Sequence, residues 1–188
     1  MFKRSLIILG TVVLLQGCAA AVVAGTASAI TAANDRRTIG SQIDDSNIEI
    51  KASIAISEVD RLHKFAHISA VSVNGIVLLV GQVANEEMKN EANRAIESVA
   101  GIRKIHNQIR IGSNTGVTTQ THDSWLTSKV KAQLLTAKNI SSNNIKVVTE
   151  NAEVFLMGLV SDAEAEQAVN IARNVSGVER VIKVFEYL

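Results

Sequence analysis

The chain has 188 residues, of which 47% are hydrophobic and 20% are charged, with no proline and a single cysteine. This composition argues against a disordered chain, a collagen-like chain and a domain stapled by disulfides. Its 19 basic residues nearly balance its 18 acidic residues, so the chain lacks the strongly basic field of nucleic-acid-binding proteins, and nucleic acid is not an expected partner.

The first segment is typical of an exported protein. Lys3 and Arg4 precede the apolar run 6–15, which is too short to span a bilayer comfortably but has the length of a signal-peptide core. The run ends in Leu15-Gln16-Gly17-Cys18, which resembles the lipobox of bacterial lipoproteins. That resemblance implies cleavage after residue 17 and acylation of Cys18 by fatty acids such as palmitate. An ordinary signal peptide, or an uncleaved anchor continued through residues 19–33, is the alternative.

Residues 18–43 follow as a predicted flexible leader rich in small side chains. Residue 19 is alanine, whereas aspartate at this position tends to retain such lipoproteins in the inner membrane. The resemblance to sorted lipoproteins therefore implies an outer-membrane location facing the periplasm. Several acyl chains on Cys18 would anchor the chain firmly, since each buried methylene contributes about 0.8 kcal/mol.

An internal duplication follows the leader. The run 77–83 aligns with the run 154–160, and Val99-Ala100-Gly101-Ile102 aligns with Val175-Ser176-Gly177-Val178. Each copy is near the lower size limit for an independent core, so we expect the two copies to support each other by packing.

Each copy reads as helix, strand, strand, helix, strand. In the first copy the expected order is a helix from Asp45-Ser46 to residue 62, strands 68–73 and 76–83 around the hairpin signal Asn74-Gly75, a helix over 86–99 and a strand over 102–111. In the second copy it is a helix over 123–137, strands 145–149 and 154–160, a helix over 162–175 and a strand over 178–187. The fold class is therefore α+β, with two helices on one face of a three-stranded sheet in each copy.

These residues resemble the BON domain family. The αββαβ order, the apolar strands that reach glycine at Gly81 and Gly158, and the Val-x-Gly-Val/Ile pattern before the last strand carry the resemblance. It implies a BON domain at 44–112, a linker at 113–122 and a second BON domain at 123–188. Two such domains behind a lipobox resemble outer-membrane lipoproteins that bind anionic phospholipid of the phosphatidylglycerol or cardiolipin type. The family also implies a non-enzymatic protein that supports envelope integrity at the division site. Gly81 and Gly158 are expected to be packing glycines needed for domain integrity.

The first helix of the second copy is the expected lipid contact. Leu126, Val130 and Leu134 form its core-facing stripe at 100° per residue, while Trp125 and Leu135 point away from the core beside lysines. Tryptophan at headgroup depth and lysines near anionic lipid are typical of an interfacial helix. With the family resemblance, the expected lipid-binding set is Trp125, Leu126, Ser128, Lys129, Val130, Lys131, Ala132 and Leu135.

Two alternatives stay open at this point. Trp125 and Leu135 could instead pack against the first copy, whose own first helix carries an outward apolar pair, Ile50 and Ile54. The chain could also be a protein-interaction adaptor for envelope assembly or cell-wall remodelling machinery, without direct lipid recognition.

No other pattern predicts chemistry. His63 and His67 stand four residues apart but lack the glutamate of an H-E-x-x-H zinc motif, so neither a metal nor another cofactor is expected. Asp44-Asp45 is expected to cap the first helix rather than to act as an acid pair. The sequence contains no G-x-S-x-G elbow and no phosphate-binding loop, so an enzyme is not expected.

Overall fold

The computed structural model of the chain describes residues 35–113, 116–138 and 140–188. The predicted signal peptide, Cys18 and the leader up to residue 34 lie outside these residues. The first repeat consists of α1 (Ile39–Ser57), α2 (Asp60–Phe65), β1 (His67–Val73), β2 (Ile76–Val83), α3 (Glu86–Glu97), β3 (Lys104–Asn107) and β4 (Arg110–Ile111). The second consists of α4 (Val117–Thr136), a 3₁₀ turn (Ser142–Asn144), β5 (Ile145–Glu150), β6 (Glu153–Val160), α5 (Asp162–Arg173) and β7 (Arg180–Tyr187).

The two sheets have the same topology, and the α+β class predicted from the sequence is confirmed. β1 pairs antiparallel with β2, and β3 and β4 run parallel to β2. β5 pairs antiparallel with β6, and β7 runs parallel to β6. The predicted third strand of the first repeat is interrupted between β3 and β4, where Ile109 turns into the core and is 2% exposed.

Both leading helices begin earlier than predicted. α1 begins at Ile39 because the Thr38 hydroxyl accepts the Ser41 N–H at 3.0 Å as an N-cap. Residues 36–43 therefore belong to the folded part rather than to the leader. α4 likewise begins at Val117, inside the predicted linker. The predicted single helix over 45–62 is two helices, because Val59 adopts extended backbone between α1 and α2.

Asp45 does not cap a helix but anchors the first hairpin turn. Its carboxylate lies within α1 and accepts the N–H groups of Asn74 and Gly75 at 2.7 and 2.8 Å. Asp123 of α4 does the same for the second turn, accepting the N–H groups of Asn151 and Ala152 at 2.8 and 2.9 Å. All four turn residues have positive φ, as a two-residue type I′ hairpin requires. An aspartate buried in the first helix thus fixes the helix to the hairpin in each repeat.

The two repeats pack sheet against sheet. Along β2, Val77, Leu79 and Val83 face α1 and α3, whereas the alternate residues face the other sheet. β6 divides its side chains in the same way, so both central strands are buried on both faces. The core between the sheets consists of Val73, Ile76, Leu78, Val80, Phe155, Met157 and Val184. The order of layers is α1 and α3, first sheet, second sheet, α4 and α5.

Polar contacts surround this central core. Lys146 of β5 reaches Glu49 of α1 at 2.6 Å, and Glu186 of β7 accepts from Arg103 at 2.7 Å and from Asn74 at 2.6 Å. The Arg103 guanidinium is the first cause of the lowered pKa of Glu186. Residues Arg36–Leu188 consequently form one compact unit, and the helices supply its two outer layers.

Candidate membrane-binding helix

The core-facing side of α4 is set by three apolar residues one turn apart. Leu126, Val130 and Leu134 are at most 1% exposed and pack on the second sheet. The family resemblance implied that Leu126 and Val130 also contact lipid, and for the folded chain this is wrong. The two side chains instead fix the helix to the sheet and so determine which side of α4 faces outward.

The outward side of α4 carries large apolar side chains. Trp125 is 51% exposed and Leu135 is 67% exposed, and the smaller Ser128 and Ala132 between them are exposed as well. The repeats meet through their sheets, so the alternative in which Trp125 and Leu135 pack against the first repeat is wrong. Trp125 and Leu135 thus lie on one outward side of the same helix, and exposed apolar surface bordered by polar residues is typical of a site that meets a protein or a membrane.

Lysines border this side of the helix. The Lys129 ammonium lies 4.2 Å from the centroid of the Trp125 ring, a cation–π contact, and also donates to the Ser176 carbonyl at 3.3 Å. Lys131 is exposed on the opposite flank. The acidic residue of α4, Asp123, is buried and bound to the hairpin turn, so the exposed part of this helix is cationic.

The BON domain family profile matches residues 44–113 and 122–188. The chain belongs to the BON domain family. The chain is 40% identical over 186 residues to the outer membrane lipoprotein DolP of Haemophilus influenzae, and the alignment covers 99% of this chain and 96% of that protein. It is also similar to the 21 kDa hemolysin of Actinobacillus pleuropneumoniae, with 39% identity over 82% of this chain and 79% of that protein. Osmotically-inducible protein Y of Escherichia coli is 30% identical over 76% of this chain and 72% of that protein.

The first BON domain carries an apolar stripe of its own. Ile39, Ile43, Ile50 and Ile54 lie along the outward side of α1, and each is between 52% and 67% exposed. Sequence reasoning found the last two and missed the first two, because it placed residues 39 and 43 in the leader. This isoleucine stripe differs from the outward side of α4 in the charge that surrounds it. Asp45 of α1 is buried like Asp123 of α4, and the other charged residues of α1 are Asp44, Glu49 and Lys51, so the exposed part of α1 is not cationic.

Arg36 attaches the start of the folded chain to the second BON domain. Its guanidinium contacts both carboxylate oxygens of Glu164 at 2.7 and 3.0 Å, and its backbone N–H donates to Asn144 at 3.0 Å. The bond from Arg36 is the largest cause that lowers the pKa of Glu164 to about 2, and the capping bonds from Ser161 act in the same direction. Sequence reasoning gave Arg36 no role, since nothing in a leader segment indicates a partner 128 residues away.

Gly81 and Gly158 occupy the same place in the two BON domains. A Cβ at either position would lie 1.9 Å from a backbone carbonyl oxygen, that of His67 for Gly81 and that of Asn144 for Gly158. Their φ angles of 129° and 149° also favour glycine. Both residues allow the first strand of each hairpin to approach the central strand closely.

Residues 35–113, 116–138 and 140–188 contain no group of three or more side chains suited to a metal ion. In the same part of the chain, no helix combines the length and apolar character needed to cross a membrane.

Proposed function

We propose that the chain is an outer-membrane lipoprotein, anchored through Cys18 and facing the periplasm, which binds anionic phospholipid through α4. In this proposal it supports envelope integrity, with enrichment at the division site, and it performs no catalysis. The similarity to the outer membrane lipoprotein DolP extends over nearly the full length of both chains and supports the location.

The outward side of α4 is the observation that carries the lipid assignment. Trp125 and Leu135 present exposed apolar surface, while Lys129 and Lys131 lie on either flank. Such a helix can lie in the plane of the membrane interface with its indole at headgroup depth. Each lysine near an anionic surface contributes about 1 kcal/mol. Of the residues first predicted, Trp125, Ser128, Lys129, Lys131, Ala132 and Leu135 remain in the proposed contact.

The test uses Trp125→Glu in a chain that begins at residue 19, so that neither acyl chains nor the apolar run 6–15 masks the contact. The new carboxylate removes the apolar anchor and repels anionic headgroups, and flotation with phosphatidylglycerol-containing vesicles should fall at least tenfold. The melting temperature should stay within a few degrees, because the indole is half exposed and the core residues of α4 are unchanged.

Ile54→Glu is the matched control, since Ile54 is 52% exposed on α1 and Trp125 is 51% exposed on α4. It should leave flotation unchanged. If the Trp125→Glu variant floats with the vesicles as well as the parent chain does, the proposal is refuted. Equal losses of flotation in Trp125→Glu and Ile54→Glu would refute it as well.

A second candidate function is that of a protein-interaction adaptor, and the isoleucine stripe of α1 favours it. The stripe lies in the outer layer opposite to α4, so it would face away from a membrane that α4 contacts. Cells that carry Ile54→Glu or Trp125→Glu should distinguish the functions when they are compared for sensitivity to detergent. Sensitivity from Ile54→Glu, with lipid flotation retained, would favour the adaptor.

A further inference from the structure

The isoleucine stripe of α1 is symmetric about its own centre. Its members form two pairs with an internal spacing of four residues, and seven residues separate the pairs: Ile39 and Ile43, then Ile50 and Ile54. The spacing is therefore the same in either direction along the helix, and the centre lies between Ser46 and Asn47. At 100° per residue the four side chains fall within about 60° of the helix circumference, so they form one narrow apolar surface.

The second BON domain folds in the same way without such a stripe. Alignment of the buried residues of α1 with those of α4 gives the counterparts of the four isoleucines, which are Val117, Thr121, Ser128 and Ala132. Three of these side chains are polar or small, yet α4 packs on its sheet as α1 does. The isoleucines are therefore a feature of the first BON domain that its packing does not explain.

A second copy of the chain fits the symmetry of the stripe. When a two-fold axis relates two antiparallel helices, residue i of one copy meets residue j of the other, and j meets i. With the axis at the centre of the stripe, Ile39 lies opposite Ile54 of the second copy, and Ile43 lies opposite Ile50. Every isoleucine then contacts an isoleucine, which a helix with an irregular apolar pattern would not achieve.

The residues at the centre of the stripe are compatible with close approach of two helices. Ser46 is small, and its hydroxyl donates to the Gln42 carbonyl at 3.0 Å within the same helix, so it brings no unsatisfied donor to the contact. Asn47 is exposed. A carboxamide both donates and accepts hydrogen bonds, so two copies of Asn47 can bind each other across the axis.

The charges beside the stripe favour the antiparallel pair. Asp44 and Lys51 are exposed on one flank, and within residues 35–113, 116–138 and 140–188 the ion pairs of α1 involve Asp45 and Glu49 instead. The two-fold axis brings the same flank of both copies together, with Lys51 about 3 Å along the helix from Asp44 of the second copy. Two equivalent ion pairs can form in this way. In a parallel pair, Lys51 would meet the flank of Glu49, whose carboxylate already binds Lys146.

The area of the stripe indicates a weak dimer. The four isoleucines expose roughly 400 Å² in each copy, so their contact would bury about 800 Å² in total. Flanking residues add to this area, which places the contact among transient complexes that bury less than about 1,200 Å². We expect a dissociation constant on the order of 10–100 µM in solution.

We propose that the isoleucine stripe is the contact surface of an antiparallel homodimer formed by α1 of two copies of the chain. This surface lies in the outer layer opposite to α4 and is independent of the proposed lipid contact. The two α4 helices of such a dimer face away from each other, so one vesicle meets one α4. Ile54→Glu therefore remains a suitable control for flotation.

Sedimentation equilibrium of the chain that begins at residue 19 measures this association without lipid or acyl chains. The mass should rise from that of one copy toward that of two between about 1 and 500 µM. Ile43→Thr combined with Ile50→Ser introduces the residue types that α4 has at these positions, and it should weaken the dimer at least tenfold. Phe65→Ser is the matched control, since Phe65 is 64% exposed on α2 outside the stripe, and it should leave the association unchanged.

Two results of this measurement would overturn the dimer. A chain that stays monomeric over the whole concentration range would leave the stripe to a different protein partner. A dimer that forms equally well in the double variant would place the contact elsewhere on the molecule.

Disulfide crosslinking tests the orientation, because the chain that begins at residue 19 contains no cysteine. Ser46→Cys and Ser53→Cys are matched variants, since both serines are exposed on the same flank of α1. In the antiparallel dimer the two copies of residue 46 lie within about 2 Å along the helix axis, and the two copies of residue 53 lie about 20 Å apart. Under mild oxidation Ser46→Cys should form a covalent dimer and Ser53→Cys should not. Equal crosslinking of the two variants would overturn the antiparallel arrangement.

Exchange of charges tests the ion pairs beside the stripe. Lys51→Glu places two carboxylates together and should weaken the dimer about tenfold. Lys51→Glu combined with Asp44→Lys exchanges the two charges and should restore the association. If the second substitution does not restore it, Lys51 does not pair with Asp44 of the second copy.

Discussion

Replacement of Gly158 by alanine should remove a large part of the free energy of unfolding of this chain. The new Cβ would lie 1.9 Å from the carbonyl oxygen of Asn144 and 3.1 Å from its carbonyl carbon, whereas Cβ contacts below 3.0 Å are essentially not found in proteins. The obstructing atoms belong to the backbone next to β5, so relief requires the hairpin to separate by about 1 Å at this point.

The magnitude follows from two costs. A non-glycine residue at this φ costs about 1–3 kcal/mol, and forced displacement in a packed region costs about another 1–3 kcal/mol. A total near 4 kcal/mol would lower the melting temperature by roughly 8–16 °C for a chain of this size. Gly81→Ala should behave in the same way, because its Cβ would meet the His67 carbonyl oxygen at the same distance of 1.9 Å.

Urea unfolding followed by far-UV circular dichroism measures this loss, with Gly112→Ala as the control. Nothing lies within 4 Å of the Cβ position at Gly112, so that variant should stay within about 0.5 kcal/mol of the parent chain. If Gly158→Ala unfolds at the same urea concentration as Gly112→Ala, the close approach of β5 to β6 is not a constraint on the fold.

Two further predictions concern the carboxylates. Asp45→Ala removes the acceptor of the first hairpin turn and the partner of Arg37, so urea unfolding should show a loss of about 3–5 kcal/mol in the free energy of unfolding. The control Asp44→Ala should be nearly neutral. Similar losses from both variants would contradict the role of Asp45 as the anchor of the turn. The pKa of Glu164 is lowered from 4.5 to about 2, so the pairing of Glu164 with Arg36 stabilises the fold fully at a pH above 4.5. This contribution is lost as the pH falls from 4.5 toward 2. Arg36→Ala should therefore cost about 1–2 kcal/mol near neutral pH, allowing for the partial exposure of the pair, and less near pH 3. A loss that does not change with pH would refute this assignment.

The hairpins and the repeat could be predicted from the sequence because their signals are local. Asn74-Gly75 specifies a type I′ turn by backbone preference alone, and β2 has the predicted bounds. The second turn was harder to recognise, because Ala152 adopts positive φ there. Its conformation depends on Asp123, whose carboxylate holds both turn N–H groups from a distant helix.

The packing of one sheet on the other was not derivable in detail. In β2 the residues at 76–80 are all apolar, which is compatible with a strand buried on both faces but does not say what covers the second face. The structure supplies Phe155 and Met157 of β6 for that face. This packing covers the free face of each sheet, so the helices form the two outer layers of the described part of the chain.

The site could be predicted only in part. Periodicity correctly placed Leu126 and Val130 on the core side of α4, and the family resemblance then added them to the lipid contact against that pattern. The pairing of Lys129 with Trp125 was recognisable as a spacing of one helical turn.

Tryptophan fluorescence tests the lipid contact most directly, because Trp125 is the single tryptophan of the chain. With the chain that begins at residue 19, phosphatidylglycerol-containing vesicles should shift the emission to shorter wavelength. Lipids brominated near the headgroup boundary should then quench it, and neutral vesicles should do neither. Unchanged emission from protein that floats with the anionic vesicles would show that the membrane contact lies elsewhere on the molecule and that α4 does not bind lipid through Trp125.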